Sequence, residues 1–239
     1  MSTPNVPDPM RAAVTAVFDD WARRGRGEGM EEPHRDVVLQ MLDRAGIQED
    51  HQVLDVGCGA GWTVRLIAGM AHRGRAFGVD ASEAMIERAR SHRNPAHVAF
   101  TAAPAEQLPY ADASLDRVVS MESIYYWSDI PAGLREVWRV LRPGGSWLCA
   151  FEYFAENPYT ERWAADLGLD LRRHSAAEYE SMCRDVGFDE VSSERLVDRR
   201  APKSQNEFQA DEYFIDYPDY LKYRATGALL VRGRRPGAV

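Results

Sequence analysis

The sequence predicts an α/β fold built on a doubly wound, mostly parallel sheet, and three observations carry that prediction. From residue 51 onward, short β-branched or apolar runs alternate with longer segments of helical period, the pattern of a parallel sheet covered by helices. The run Val53-Leu54-Asp55-Val56 passes straight into glycines at 57, 59 and 61, as a buried strand does when it turns sharply into a helix. The length, 239 residues, suits a single α/β unit, and 45% apolar with 28% charged content is that of a globular chain.

Taken in order, residues 10–24 and 33–45 read as amphipathic helices. The Arg24-Gly25-Arg26-Gly27-Glu28-Gly29 segment between them holds three glycines that are not stiff in isolation, so it is a hinge or a cover. Strands follow near 52–56, 75–79, 97–101, 116–121 and 146–151, with helices near 61–71, 82–92 and 131–140. Ser82 suits an N-cap, and Arg142-Pro143-Gly144-Gly145 is expected to end the last of these helices and turn the chain into the fifth strand. A helix over 175–186 opens on a capping box of Ser175 and Glu178 and stops at Gly187. Strands near 190–197 and 228–234 then form an antiparallel pair that closes a seven-stranded sheet. Residues 199–226 between them are too long for a hairpin loop, and such stretches are functional or disordered. Within them, residues 207–223 carry Phe208, Tyr213, Phe214, Tyr217, Tyr220 and Tyr223, suited to a cap over a small aromatic or cationic ligand or to rings packed on the sheet. Trp163 and Asn157-Pro158-Tyr159 are candidates for a further wall.

Asp plus Glu number 37 against 29 Lys plus Arg, a net charge of −8. That excess opposes the phosphate attraction on which nucleic-acid binders rely, so no nucleic-acid partner is expected. Cys58, Cys149 and Cys183 are odd in number and far apart, which points to neither a disulfide framework nor a metal site. With no signal peptide and no apolar run approaching the length of a membrane span, a cytoplasmic location without membrane association is expected. No motif sets an oligomeric state.

The stretch Val53 to Trp62 carries the chemistry. Bare glycines let the backbone approach a ligand, and the free amides of the following helix favour a carboxylate or other anion. The dinucleotide fingerprint needs its third glycine where this chain has Trp62, which argues against NAD or FAD. Asp80 ends the second strand about twenty residues later, where an acid can accept both hydroxyls of a ribose. Strand, GxGxG, helix, strand and acid together are far more specific than either piece alone.

With these residues in place, the chain resembles the class I S-adenosylmethionine-dependent methyltransferases, in particular the small-molecule branch that includes the ubiquinone and menaquinone biosynthesis C-methyltransferases and related methyltransferase type 11 domains. Further matches are Ala105-Glu106-Gln107-Leu108-Pro109, Leu115-Asp116-Arg117-Val118-Val119-Ser120 and Glu136 through Gly145. The resemblance covers residues 35–151 well and is thin outside them. It implies a Rossmann-like sheet over 1–239, with an N-terminal helical cover (1–50), a cofactor-binding core (51–151) and an acceptor-side cap with the closing strands (152–239). It also implies S-adenosylmethionine as cofactor and a small-molecule methyl acceptor. By the resemblance, Asp55, Gly57, Cys58, Gly59 and Gly61 hold the amino-acid end of the cofactor and Asp80 its ribose. Ala81 and Met85 lie against the adenine, Ala105 offers its amide to the ring, and Met121 borders the cofactor. Pro104 stands where relatives often carry an acid for the adenine amine, leaving that role to Glu106 or to a backbone carbonyl.

The segment Met121-Glu122-Ser123-Ile124-Tyr125-Tyr126-Trp127 is expected at the carboxyl end of the sheet, where open α/β folds bind ligands. Glu122 is the first candidate to orient or deprotonate the acceptor, with contact to the cofactor's ammonium as its other reading. Tyr125 and Tyr126, where relatives often carry paired histidines, offer ring faces to a cation and a hydroxyl to a nucleophile. Trp127 serves the site or packs under the next helix. His174 and His34 are further candidates, and Arg23, Arg24 and Arg26 suit a carboxylate. A sulfonium methyl is already activated, so alignment can supply much of the rate. A cofactor-binding protein that transfers nothing, and a nicotinamide-dependent oxidoreductase, stand as the alternatives.

Overall fold

The computed structural model describes residues 8–210 and 214–237; Tyr213 lies outside them. Two helices lead the chain, α1 (Pro9–Arg23) and α2 (Glu31–Ala45), joined through a 3-10 turn, Arg26–Met30. The core alternates β1 (Gln52–Val56), α3 (Trp62–Met70), β2 (Arg75–Asp80), α4 (Glu83–Ser91), β3 (Val98–Ala102), β4 (Leu115–Met121), α5 (Ile130–Val140) and β5 (Leu141–Phe151). After it come the short α6 (Trp163–Asp166), α7 (Ala176–Val186), β6 (Asp189–Leu196), α8 (Tyr217–Thr226) and β7 (Ala228–Arg234).

The seven strands form one sheet in the order β3-β2-β1-β4-β5-β7-β6. The five core strands are parallel, while β7 runs antiparallel between β5 and β6. The order reverses between β1 and β4, so the crevice of a doubly wound sheet opens at their carboxyl ends. Both faces are packed: Leu54, Val118, Trp147 and Phe151 belong to one apolar cluster, and Val53, Val64, Ile86 and Leu148 to the other.

Local chemistry sets the helix ends. Ser82 Oγ accepts from the Met85 amide at 3.0 Å, Ser175 and Glu178 form the reciprocal capping box, and Gly187 closes α7 in the left-handed region (φ 106°). Two expectations need correction. Arg142-Pro143-Gly144-Gly145 is not a turn: α5 stops at Val140 and these residues already belong to β5. The Gly144 amide donates to Arg235 O and the Arg235 amide to Gly145 O, while Gly144 is left-handed (φ 82°) and the pairing with β4 shifts register across 142–145, so the segment is a bulge within β5. The span 199–226 is not only a loop, because α8 occupies its last ten residues, capped by Asp216.

Candidate active site at the carboxyl end of the sheet

The glycine turn is held by the strand beside it. Gly57 and Cys58 amides donate to Val79 O at 2.8 and 2.9 Å, and Gly61, in the left-handed region, opens α3. Asp80 reaches back across the turn: its Oδ2 accepts from the Gly59 amide and its Oδ1 from the Ser82 amide, both at 2.9 Å. Burial pushes its pKa up against those two amides. Asp55, behind the turn, is 2% exposed, and its Oδ1 finds no hydrogen-bond partner among the described residues. Burial, and then the charge of Asp80, push its pKa up to about 8.

Three cavities meet here. One, of about 90 Å3, runs between Gly57, Asp80, Ala81, Pro104, Ala105 and Glu106. A second, of about 80 Å3, lies along Asp55, Cys58, Gly59, Met85 and Met121. The third, of about 340 Å3, is framed by the rings of Phe18, Trp21, Tyr126, Tyr159, Phe214 and Tyr223, and Trp163 also lines it. Glu122 is the only ionisable described residue that lines all three.

Glu122 directly follows β4 with a left-handed backbone (φ 50°), a conformation that a non-glycine residue adopts rarely and that clusters at functional sites. Its Oε2 accepts from Tyr125 OH at 2.6 Å and its Oε1 from the Glu152 amide at 2.7 Å. Burial, and then the charge of Glu152, push its pKa up to about 8, with those two donors opposing the shift. Tyr125 is 5% exposed and belongs to the core, with its hydroxyl on the carboxylate, whereas Tyr126 borders two of the cavities. Trp127 is largely core, tilted against Trp147 with ring centroids 5.8 Å apart, with its Nε1 donating to Ser123 Oγ.

Glu106 is engaged by protein donors: Ser128 Oγ at 2.9 Å, the Asp129 amide at 3.1 Å and Arg11 at 3.4 Å. His34 lines two cavities, with Nδ1 against Met30 O at 2.8 Å. His174 lies apart from them, edge-on to Tyr179. Arg23 and Arg24 pair with Asp20, and Arg26 stacks over Trp21 and lines the large cavity.

The sequence reading missed Arg11, Val14, Thr15, Phe18 and Trp21. They form one stripe of α1 at three- and four-residue spacing, and that stripe roofs the crevice. The period was visible as amphipathicity, but which surface it covers was not. The glycine-rich link is a cover: Gly27 is buried, and a β-carbon there would meet Ala60 and Met85 at 3.3 Å.

A crevice at the topological switch point, glycines at its floor and an acid on the neighbouring strand define a nucleotide-binding α/β protein. A methyltransferase-domain family model matches residues 54–149. Over 150 residues the chain is 31% identical to the uncharacterized methyltransferase YcgJ of Bacillus subtilis, covering 59% of this chain and 58% of YcgJ. Over 182 residues it is 32% identical to the phthiotriol/phenolphthiotriol dimycocerosates methyltransferase of Mycobacterium tuberculosis, covering 73% of this chain and 66% of that enzyme. It thus spans between half and two thirds of the length of these curated relatives. Among solved structures, it matches a chain of the Haloferax volcanii complex of the Trm112 methyltransferase activator with a methyltransferase. That match has a TM-score of 0.85 and 33% identity, over 92% of this chain and 97% of that one. The crystal structure of YcgJ, at 20% identity and a TM-score of 0.60 over 86% of this chain and all of that one, shares the fold. The chain belongs to the S-adenosylmethionine-dependent class I methyltransferases.

The crevice fits the family's cofactor, S-adenosylmethionine. The partnerless Oδ1 of Asp55 and the open side of Gly59, where a β-carbon would meet nothing within 4 Å, offer an acceptor and space on one wall. Asp80 lines the adjoining cavity. No helix among the described residues is long and apolar enough to cross a membrane.

Proposed function

We propose that this chain transfers a methyl group from S-adenosylmethionine to a small-molecule acceptor held in the ring-lined cavity. The observation that carries the reading is the position of Glu122, shared by the acceptor cavity and the two narrow cavities at the glycine turn. When bound, the cofactor supplies a methyl on a sulfonium centre, already activated for attack.

The chain's own residues then have distinct tasks. Asp55, Gly57, Cys58, Gly59 and Met121 receive the amino-acid end, with Gly61 opening the helix behind them, Asp80 the ribose, and Ala81, Ala105 and Glu106 the base; Met85, expected against the base, lines the cavity of Asp55 and Gly59. Because Glu106 is already committed to Ser128, Asp129 and Arg11, its part is to hold the wall behind the base. Glu122, Tyr125 and Tyr126 face the reacting end: the carboxyl orients the acceptor or takes its proton, and the rings exclude water. Alignment of the attacking atom supplies much of the rate. The cover (1–50), the core (51–151) and the cap (152–239) act as one unit, and the net charge of −8 favours a small acceptor over nucleic acid.

Isothermal titration with S-adenosylmethionine and S-adenosylhomocysteine tests the first half; failure to bind either removes the reading. Asp80→Ala is expected to weaken binding by about 1.5 to 3 kcal/mol, the worth of hydrogen bonds to a charged group. An unchanged affinity would mean that the ribose is held elsewhere. A chain that binds cofactor but methylates nothing in a pool of phenols, thiols and amines is a binding protein instead.

A further inference from the structure

The acceptor cavity is selective in its chemistry. Its volume of about 340 Å3 is roughly twice the ~150 Å3 of an apolar cavity that holds one benzene, so two fused rings fit. Its walls are mostly rings set at angles to one another: Phe214 and Tyr223 are 4.8 Å apart, Tyr159 and Tyr223 5.8 Å, and Phe18 meets Tyr126 edge-on at 4.9 Å. Such angled faces receive a flat guest by offset and edge contacts. Arg26 is exposed and stacked over Trp21, and His34 is bonded to Met30 O. The carboxyl common to the acceptor cavity and the glycine turn is that of Glu122.

We propose that the acceptor is a neutral, planar aromatic compound of about two rings bearing a hydroxyl, whose proton passes to Glu122 while Tyr125 holds that carboxyl in place. This rests on the methyl-transfer reading above. The acceptor's O–H bond breaks with its proton going to a Glu122 oxygen. Its oxygen forms the new O–CH3 bond as the S–CH3 bond of the donor breaks, the electron pair staying on sulfur. The sulfonium charge disappears, and the proton on Glu122 balances the step.

Facing Glu122 are Tyr125 and Tyr126 from its own turn, Glu152 beyond β5, Tyr223 of α8 and His34 of α2, with Cys149 and Tyr179 behind. Burial, and then the Glu152 charge, push its pKa up, so its carboxylate takes up a proton more readily than an ordinary glutamate does. An alkylammonium gives up its hydration on entering a cavity walled mostly by rings, whereas an aryl hydroxyl enters uncharged. A carboxylate raised in this way is also better matched to a phenolic proton, near 10, than an ordinary glutamate is. Tyr223, whose hydroxyl donates to Glu152 Oε2 at 2.6 Å, ties α8 to this wall.

The test begins with S-adenosylhomocysteine: no calorimetric binding removes the methyl-transfer reading itself. With it bound, 2-naphthol is expected to bind in the micromolar to millimolar range; no binding up to about 2 mM overturns the acceptor class. Label transfer from S-adenosylmethionine to 2-naphthol should exceed that to cyclohexylamine or hexanethiol by roughly tenfold or more. Either of those ahead overturns the class and leaves methyl transfer standing. Glu122→Gln should keep both bindings within about threefold, cut transfer to 2-naphthol by about 100-fold or more and lose the rise of rate with pH toward 8. A variant with the parent's rate and profile overturns the proton's route, and so does one that loses S-adenosylhomocysteine but not 2-naphthol, since the carboxyl would then serve the donor. Should that variant not fold, Tyr125→Phe removes a donor that lowers the Glu122 pKa, so the rising limb should move to higher pH; an unmoved limb overturns the role of Tyr125.

Discussion

Gly57 has no room for a β-carbon. At φ 77° it already occupies the left-handed region, and an added Cβ would overlap Cβ and Oγ of Ser123. That serine is not free to yield: its Oγ donates to Val56 O at 2.9 Å, lies 2.6 Å from Ser120 Oγ and accepts from Trp127 Nε1. Gly59 differs, because its φ of 51° favours glycine but nothing lies within 4 Å of a β-carbon there. Gly57→Ala should therefore cost about 2 to 4 kcal/mol, strain plus overpacking, and Gly59→Ala only about 1 kcal/mol. Urea unfolding of both variants checks the ranking, and equal losses would show that the overlap relaxes. The sequence made all three glycines legible as a turn that admits a ligand. It could not show that Gly57 is bare for Ser123 and Gly61 for Phe100, 2.6 Å from its virtual β-carbon, because those neighbours come from distant segments.

At the scale of elements, α1 is the piece expected to yield when the cofactor enters, since its side chains line both narrow cavities. The two cavities beside the glycine turn, at about 90 and 80 Å3, are each smaller than the ~150 Å3 that holds one benzene; Phe18 lines both, and Trp21 lines the second. Only Val14 and Ala22 of α1 are buried, and its ties to the core are few, such as Ser82 Oγ to Asp19 at 2.5 Å and Arg11 to Glu106 at 3.4 Å. A segment held this lightly opens locally at low cost. Amide exchange in residues 9–23 should therefore be fast in the free chain and slow on binding S-adenosylhomocysteine, while β1 and β4 stay slow in both. Unchanged exchange in α1 would mean that the ligand enters without disturbing the cover. Core strands were readable to within a residue or two at most ends because their apolar runs are continuous and their turns carry glycine or acid. Three elements escaped, the four-residue α6 among them. The start of β5 was hidden by Pro143-Gly144-Gly145, which read as a turn although Leu141 pairs with Leu115. Helix α8 buries none of its residues, so Tyr217-Pro218-Asp219-Tyr220-Leu221 carries no apolar period to read.

For the molecule as a whole, the carboxyl end of the sheet gathers acids that the fold does not neutralise: Asp55, Asp80 and Glu122 all have raised pKa values, burial being the first cause of each. Such groups cost stability in the free protein, and Asp55 isolates the effect because its Oδ1 has no protein partner to lose. Its folded pKa is about 8 against an ordinary 3.8, so above pH 4 the unfolded chain releases a proton that the folded chain keeps. The stability tied to this group is full below the ordinary value, declines as pH rises toward 8 and levels off beyond it. An amide at this position is neutral throughout and suffers no such decline. Between pH 5 and pH 8 the melting temperature of Asp55→Asn should therefore gain on the parent by an amount on the order of 5 °C, measured without ligand. A constant difference across that range would show Asp55 already ionised in the folded chain. The same variant should bind S-adenosylhomocysteine more weakly, since the carboxyl whose burial costs stability is the one offered to the ligand. A gain in stability with undiminished binding would mean that the burial of Asp55 serves neither the fold nor the site.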